Sequence, residues 1–147
     1  MADNATLARS VYDAFNKRDL DQLVGYYATD GKITIVGSGD TFDGREGARR
    51  FNVMWTNGFP DGHATIDNLI ASGDSVAIEY TGRGTHTGTL ATPAGSIPAT
   101  GRSVTLALCD VFEFSGGKIK SQRTYFDSAS LLAQLGITAE QAAATKE

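Results

Sequence analysis

Ser103-Val-Thr-Leu-Ala-Leu-Cys-Asp-Val-Phe-Glu-Phe114 runs through Ser115-Gly-Gly117 into Lys118-Ile-Lys-Ser-Gln-Arg-Thr-Tyr-Phe-Asp127. Two long strands joined at a glycine pair are a hairpin signal. Side chains alternate along a strand, so Val104, Leu106, Leu108, Phe112 and Phe114 share one apolar face. Asp110 has the same parity. Its facing residue depends on the turn. A tight two-residue Gly116-Gly117 turn sets Asp110 opposite Arg123, as an ion pair. A glycine bulge shifts the parity and puts it on one face with Gln122, Thr124 and Phe126.

The strand pattern extends upstream. Ser75 to Thr81 places Val76, Ile78 and Tyr80 on one face after a Gly73-Asp74 turn, and His63 to Ala71 alternates moderately. Gly82 to Gly101 is rich in glycine, threonine and proline and predicts a mobile flap that shifts when a ligand binds. The first quarter is helical instead. Ala8, Val11, Tyr12 and Phe15 recur at one-face spacing. Asp19 with Gln22 forms a capping box for a second helix, buried through Leu20, Leu23, Val24 and Tyr27. Asp30-Gly31 reads as a turn, Lys32 to Val36 as a short strand, and Gly37 to Gly44 as a polar loop. Asp43 and Glu46 open a third helix with Ala48, Phe51, Met54 and Trp55 inside, ended by Phe59-Pro-Asp-Gly62. Ser128 caps a last helix through Leu131, Leu132 and Leu135, with Gly136 as its stop. Helices, then an antiparallel sheet, then a closing helix give an α+β class. A strongly curved sheet wrapped around those helices leaves a cone-shaped hole where ligands bind.

Bulk properties narrow the function. The 147 residues fit one domain over 1–147 with a sizeable core. A net charge of −4 without a basic run argues against nucleic acid and anionic membranes as partners. Cys109 is the single cysteine, so no internal disulfide forms, and its apolar surroundings suggest a packed, inert thiol. Met1 to Ser10 has no apolar core of a secretory leader and no apolar run is membrane-spanning, so a cytoplasmic location is expected. The Asn4-Ala-Thr6 sequon is then a chance match. Two histidines and one cysteine make no convincing metal site. There is no Gly-x-Ser-x-Gly elbow, phosphate loop or dinucleotide loop. Acid–base chemistry in a pocket, or binding alone, is what remains, with no cofactor expected.

Gly84-Thr-His-Thr-Gly88, Thr100-Gly-Arg-Ser103, Asp110-Val-Phe-Glu-Phe114, Gly117-Lys-Ile119 and Arg123-Thr-Tyr-Phe-Asp127 carry a family resemblance, as does the Asn16-Lys-Arg-Asp-Leu20 helix junction. Together they resemble the nuclear transport factor two-like superfamily, in its SnoaL-like polyketide cyclase and limonene-epoxide hydrolase branches. The resemblance implies a cystatin-like roll, a hydrophobic substrate, no metal or cofactor, and a homodimer. It carries over few catalytic residues. The aspartate those branches place on the last strand falls at Thr124, and the cyclases' histidine near Gln122. The hydrolases' Arg-x-Asp pair falls at Tyr80 and Gly82, and their water-positioning residues at Thr34 and Val36. The isomerase base of the superfamily falls near Ile35.

Asp110 is the leading candidate for chemistry, since a carboxylate on an apolar face is desolvated and becomes a stronger base. Tyr80 points inward and suits an oxyanion, with Gln122 and Thr124 beside it. A core tyrosine bonded to backbone explains Tyr80 equally well. His86 is a candidate proton shuttle on the flap, or simply a residue that fixes the turn. Trp55, Met54, Phe59, Ile78, Leu106, Leu108 and Phe126 are the expected apolar walls, or only core. His63 is expected to be exposed, and Glu113 with Lys120 to form an exposed cross-strand pair.

Three functions are consistent with these residues. The first is a cyclase, isomerase or lyase that removes a proton next to a carbonyl of a hydrophobic, cyclic metabolite. The second is an epoxide-type hydrolase, and the third a non-catalytic binding domain for hydrophobic ligands. Convergence of Asp110 and two other polar groups on one enclosed volume favours the enzymes. An outer sheet face of Thr65, Asp67, Leu69, Ala107, Cys109 and Val111 is too mixed for simple solvation and suggests the homodimer.

Overall fold

The computed structural model describes residues 3–138. Helix α1 (Asn4–Asn16) starts at Asp3, whose carboxylate accepts from the Thr6 amide. Helix α2 (Leu20–Gly25) is capped by Asp19, which accepts from the Gln22 amide. Only half of the predicted box forms, because the Asp19 amide donates to the Ala14 carbonyl at 2.9 Å, while Gln22 Nε2 donates to the Tyr26 hydroxyl. Strands β1 (Tyr27–Ile35) and β2 (Thr41–Asp43) then precede helix α3 (Gly44–Gly58). Strands β3 (His63–Ser72), β4 (Ser75–Thr85), β5 (Leu90–Thr92), β6 (Gly95–Ile97), β7 (Ser103–Ser115) and β8 (Lys118–Phe126) follow. Helix α4 (Ser128–Leu135) closes the chain. Its cap is Asp127, one residue before the expected Ser128, and Gly136 ends it at φ 74°.

Six strands form one sheet in the order β2-β1-β8-β7-β4-β3. It is antiparallel except where β1 runs parallel to β8, which corrects the wholly antiparallel expectation. Helix α1 lies against β3 and β4, α3 against β1, and α4 against β7, so the core is enclosed between the helices and the inner sheet face. Tyr12, Leu23, Ile33, Phe51, Val76, Ile78, Phe112, Ile119 and Leu135 are buried there.

Several local expectations change. Asp30-Gly31 is no turn but part of an irregular stretch of β1, between Tyr27 opposite Ile119 and Lys32 opposite Ser121. Gly31 is required there, because a Cβ would lie 2.9 Å from the Ile119 carbonyl oxygen. The Gly37–Gly44 loop contains β2. The expected flap is the end of β4, the β5–β6 hairpin and its connections. A bulge between Ile66 and Asn68 turns Leu69 inward opposite Ile78, so Ile70, not Leu69, belongs to the outer face.

The β7–β8 register settles the surroundings of Asp110. Gly116 and Gly117 have φ of 58° and 77° and form a tight turn with Ser115 opposite Lys118. A register shift between Glu113 and Phe114 then restores the other parity. Asp110 therefore faces Thr124, and Arg123 faces Val111. Arg123 pairs with Glu113 at 3.3 Å on the outer side. Lys120 pairs with Asp30, so the expected Glu113–Lys120 pair does not form.

Candidate active site

Asp110 is 3% exposed and sits midway along β7, on the inner face. The Tyr12 hydroxyl, brought by α1, donates to its Oδ2 at 2.6 Å. The Thr124 hydroxyl, directly across on β8, donates to Oδ1 at 2.8 Å. Gln122 donates from Nε2 to Thr124 Oγ1 at 3.0 Å. Its Oε1 accepts from the hydroxyl of Tyr27, the first residue of β1. Burial pushes the Asp110 carboxyl up to about 6, opposed by the donors Tyr12, Thr124, Tyr80 and Gln122. Burial and the nearby Asp110 charge hold Tyr12, Tyr27 and Tyr80 well above the usual phenol range, so all three keep their protons.

These groups meet at one end of a cavity of about 100 Å³. Tyr12, Tyr27, Tyr80, Asp110 and Gln122 line it together with Phe15, Phe51, Trp55, Phe59, Leu106 and Leu108. Trp55 stacks on Phe59 at a centroid distance of 6.3 Å, and Tyr12 meets Tyr80 edge-on at 4.9 Å. The room comes partly from a missing side chain. Inner positions of β4 run Val76, Ile78, Tyr80 and then Gly82, where a Cβ would touch only Leu108 at 3.5 Å. Exposed His63 and Arg83, opposite each other on β3 and β4, mark the mouth. Arg18 frames the same end. Its guanidinium donates to the Pro60 and Gly62 carbonyls, both at 2.8 Å, and to the Phe15 carbonyl at 3.0 Å.

The structure thus brings Asp110, Tyr80, Gln122, Trp55, Phe59, Leu106 and Leu108 to the cavity. Met54 and Ile78 are buried in the core without lining it. Phe126 stands behind Trp55 at 5.6 Å. Thr124 is fully buried and spends its proton on Asp110, so it holds the carboxylate and not a substrate oxygen. His86 is buried away from the cavity, against Phe59. Its Nδ1 accepts from the Thr100 amide at 3.2 Å, and burial lowers its pKa, which corrects the proton-shuttle reading. Cys109 is half-buried on the opposite sheet face from Asp110.

Tyr12, Tyr27 and Asn52 are the buried polar cavity residues absent from the sequence-based candidates, as are apolar walls such as Phe15 and Phe51. In the sequence pattern Tyr12 and Tyr27 stand only as members of helix faces. A tyrosine in place of leucine or phenylalanine on such a face was the available signal, since a buried hydroxyl needs a partner. Asn52, one turn before the Thr56–Gly58 end of α3, is buried and donates to the Ala48 carbonyl at 2.8 Å. The positions aligned with water-binding residues, Thr34 and Val36, face outward. Ile33 and Ile35 are the inward ones, opposite Gln122 and Thr124.

Among the described residues no group of three or more histidine, cysteine, aspartate or glutamate side chains is placed to hold a metal. No described helix is long and apolar enough to cross a membrane.

Comparison with known proteins bears on the fold and the family. A family model for SnoaL-like polyketide cyclases matches residues 5–135. IdmH from Streptomyces antibioticus, a candidate polyketide cyclase, is 30% identical over 90% of this chain and 97% of its own, with a TM-score of 0.73. TsrD from Streptomyces laurentii is 25% identical over 94% and 100%, with a TM-score of 0.79. An LEH-like epoxide hydrolase of M. tuberculosis is 20% identical over 89% and 87%, with a TM-score of 0.67, a likeness of fold alone. No curated protein matches the chain. With the family model spanning nearly all of α1 to α4, the chain belongs to the SnoaL-like polyketide cyclase family.

Proposed function

We propose that this chain is a cofactor-free enzyme that removes a proton next to a carbonyl of a hydrophobic, ring-containing metabolite, leading to cyclisation, isomerisation or elimination. The observation that carries this reading is the buried Asp110 carboxylate at the polar end of an aromatic cavity. Near neutral pH a carboxyl with a pKa of about 6 is mostly ionised yet more basic than an ordinary aspartate. The C–H proton passes to Asp110, and its electron pair becomes the enolate. As Asp110 takes up the proton, Tyr80, protonated and lining the same cavity, turns its hydroxyl from that carboxyl to the developing oxygen charge. Thr124, Gln122 and Tyr12 hold the carboxylate in place.

The epoxide-hydrolase alternative is supported less, because Tyr80 and Gly82 replace its charged pair and β1 offers Ile33 and Ile35 inward. A purely structural or binding role is supported less by a cavity where Asp110, Tyr12, Tyr80 and Gln122 converge.

Asp110→Asn tests the reading. Deuterium uptake at the α-carbon of a panel of aromatic and cyclic ketones in D₂O reports proton abstraction directly. We expect the variant to lose roughly 10²–10⁴-fold of that rate, the usual worth of a positioned acid–base group. Its melting temperature should be unchanged or raised. Exchange at the wild-type rate would remove Asp110 from the reaction.

A further inference from the structure

We propose that Tyr27, which does not itself bond the reacting carboxylate, is a positioning residue: it heads a one-way chain of hydrogen bonds through Gln122 and Thr124 that ends on Asp110 and sets how tightly Asp110 holds a proton. The direction of the chain follows from the donor and acceptor inventory of its members. The Tyr27 hydroxyl gives its single proton to Gln122 Oε1. That fixes the amide so that Nε2 faces Thr124 and donates to Oγ1 at 3.0 Å. The Thr124 oxygen is then occupied as an acceptor, and its own proton goes to Asp110 Oδ1 at 2.8 Å. Every link donates toward the carboxylate. Such a chain favours the charged form and polarises each successive bond.

The fold holds the head of the chain as firmly as its end. Tyr27 is 1% exposed, its carbonyl accepts from Arg45 Nε at 2.8 Å, and its backbone lies opposite Ile119 on β8. All members are nearly or fully buried. The other groups acting on Asp110 are the Tyr12 hydroxyl from α1 and the Tyr80 hydroxyl from β4. No cation is among them. On β7 itself the neighbouring Cys109 points to the other face. With no positive charge to hold the carboxylate ionised, hydroxyl and amide donors do this alone, and this chain supplies one of the two oxygens with its donor.

The inference rests on Asp110 as the reacting base, but its test needs no turnover, so the two fail separately. Carboxyl ¹³C NMR of aspartate-labelled protein, with the Asp110 signal assigned by its loss in Asp110→Asn, follows the titration directly. Tyr27→Phe keeps the ring and deletes the donor. It should raise the Asp110 midpoint by about half a pH unit, since a hydrogen bond to the charged form is weakened. Thr124→Val should raise it further. The double variant should shift by clearly less than the sum of the two, because Thr124→Val already removes the main link from Tyr27 and leaves only what Gln122 itself donates. If Tyr27→Phe does not fold, Gln122→Met cuts the same chain one link later, with the same expectation. An unmoved midpoint in Tyr27→Phe, or in Gln122→Met in its place, or fully additive shifts in the double variant, would overturn the chain. Proton exchange unaffected in Asp110→Asn alongside the expected shifts would leave the chain standing and remove only the base.

Discussion

Asp110 is a cost to the fold that the site requires. Its carboxyl rises from 3.8 in the open chain to about 6 when buried. A raised pKa means the folded state binds the proton more tightly. The resulting stability is fully present below pH 3.8 and is lost as pH climbs through 6. Over that window the loss amounts to about 3 kcal/mol, at 1.36 kcal/mol per pKa unit. Asp110→Asn cannot titrate there. Relative to wild type it should gain stability steadily between pH 4 and 7, which melting curves of the two proteins across that range would show. A gap that stays constant with pH would mean the carboxyl is not raised. The alternative of a buried Asp110–Arg123 pair predicts the opposite, a loss of about 3–5 kcal/mol on removing one partner. The register excludes that pair, since Arg123 faces Val111 and bonds Glu113. From the sequence, parity alone identified Asp110 as inward. What faced it was undecidable, because one extra residue near Glu113 reverses every side chain beyond it.

The segment after β4 is anchored at points that its composition does not announce. Leu90 and Ile97 are buried, 0% and 5% exposed, and anchor the β5–β6 hairpin. The His86 amide donates to the Arg102 carbonyl and the Gly101 amide to the His86 carbonyl, each at 2.8 Å. Gly88 lies so close to α3 that a Cβ would sit 1.9 Å from the Asn57 carbonyl oxygen. Replacing Gly88 by alanine therefore has to push the hairpin off the end of α3. Hydrogen exchange should then lose protection at the His86 and Gly101 amides while Ser103–Ser115 keeps its own. Equal protection in both proteins would show that the close approach holds nothing. Glycine and threonine content hides these anchors, because they are two isolated apolar residues. Their value depends on α3 and the cavity wall being adjacent, which no local pattern encodes.

At the scale of the molecule, the outer sheet face carries exposed apolar side chains among the described residues. The register aligns Ile70, Ala77, Val111 and Arg123 in one row and Glu79, Cys109 and Tyr125 in the next. Ile70 is 62% exposed, Tyr125 42% and Val36 39%. Exposed apolar side chains gathered on one sheet face are expected to bury themselves against a second copy of the chain. Light scattering at micromolar concentration should give twice the chain mass, and Ile70→Asp with Tyr125→Asp should return it to the monomer. A monomeric wild type would end the expectation. The sequence by itself determined the α+β class, nearly every helix and long strand, and the inward parity of Asp110, Tyr80 and Leu106, because periodicities of 3.6 and 2 are properties of short segments. Its motifs also resembled the family that the comparisons later matched. The site was decided only by tertiary structure. Tyr12 meets Asp110 across 98 residues of chain and Tyr27 meets Gln122 across 95. Contacts at that separation exist only once α1 is laid on the sheet and β1 runs parallel beside β8, and neither placement leaves a mark on the residues nearby.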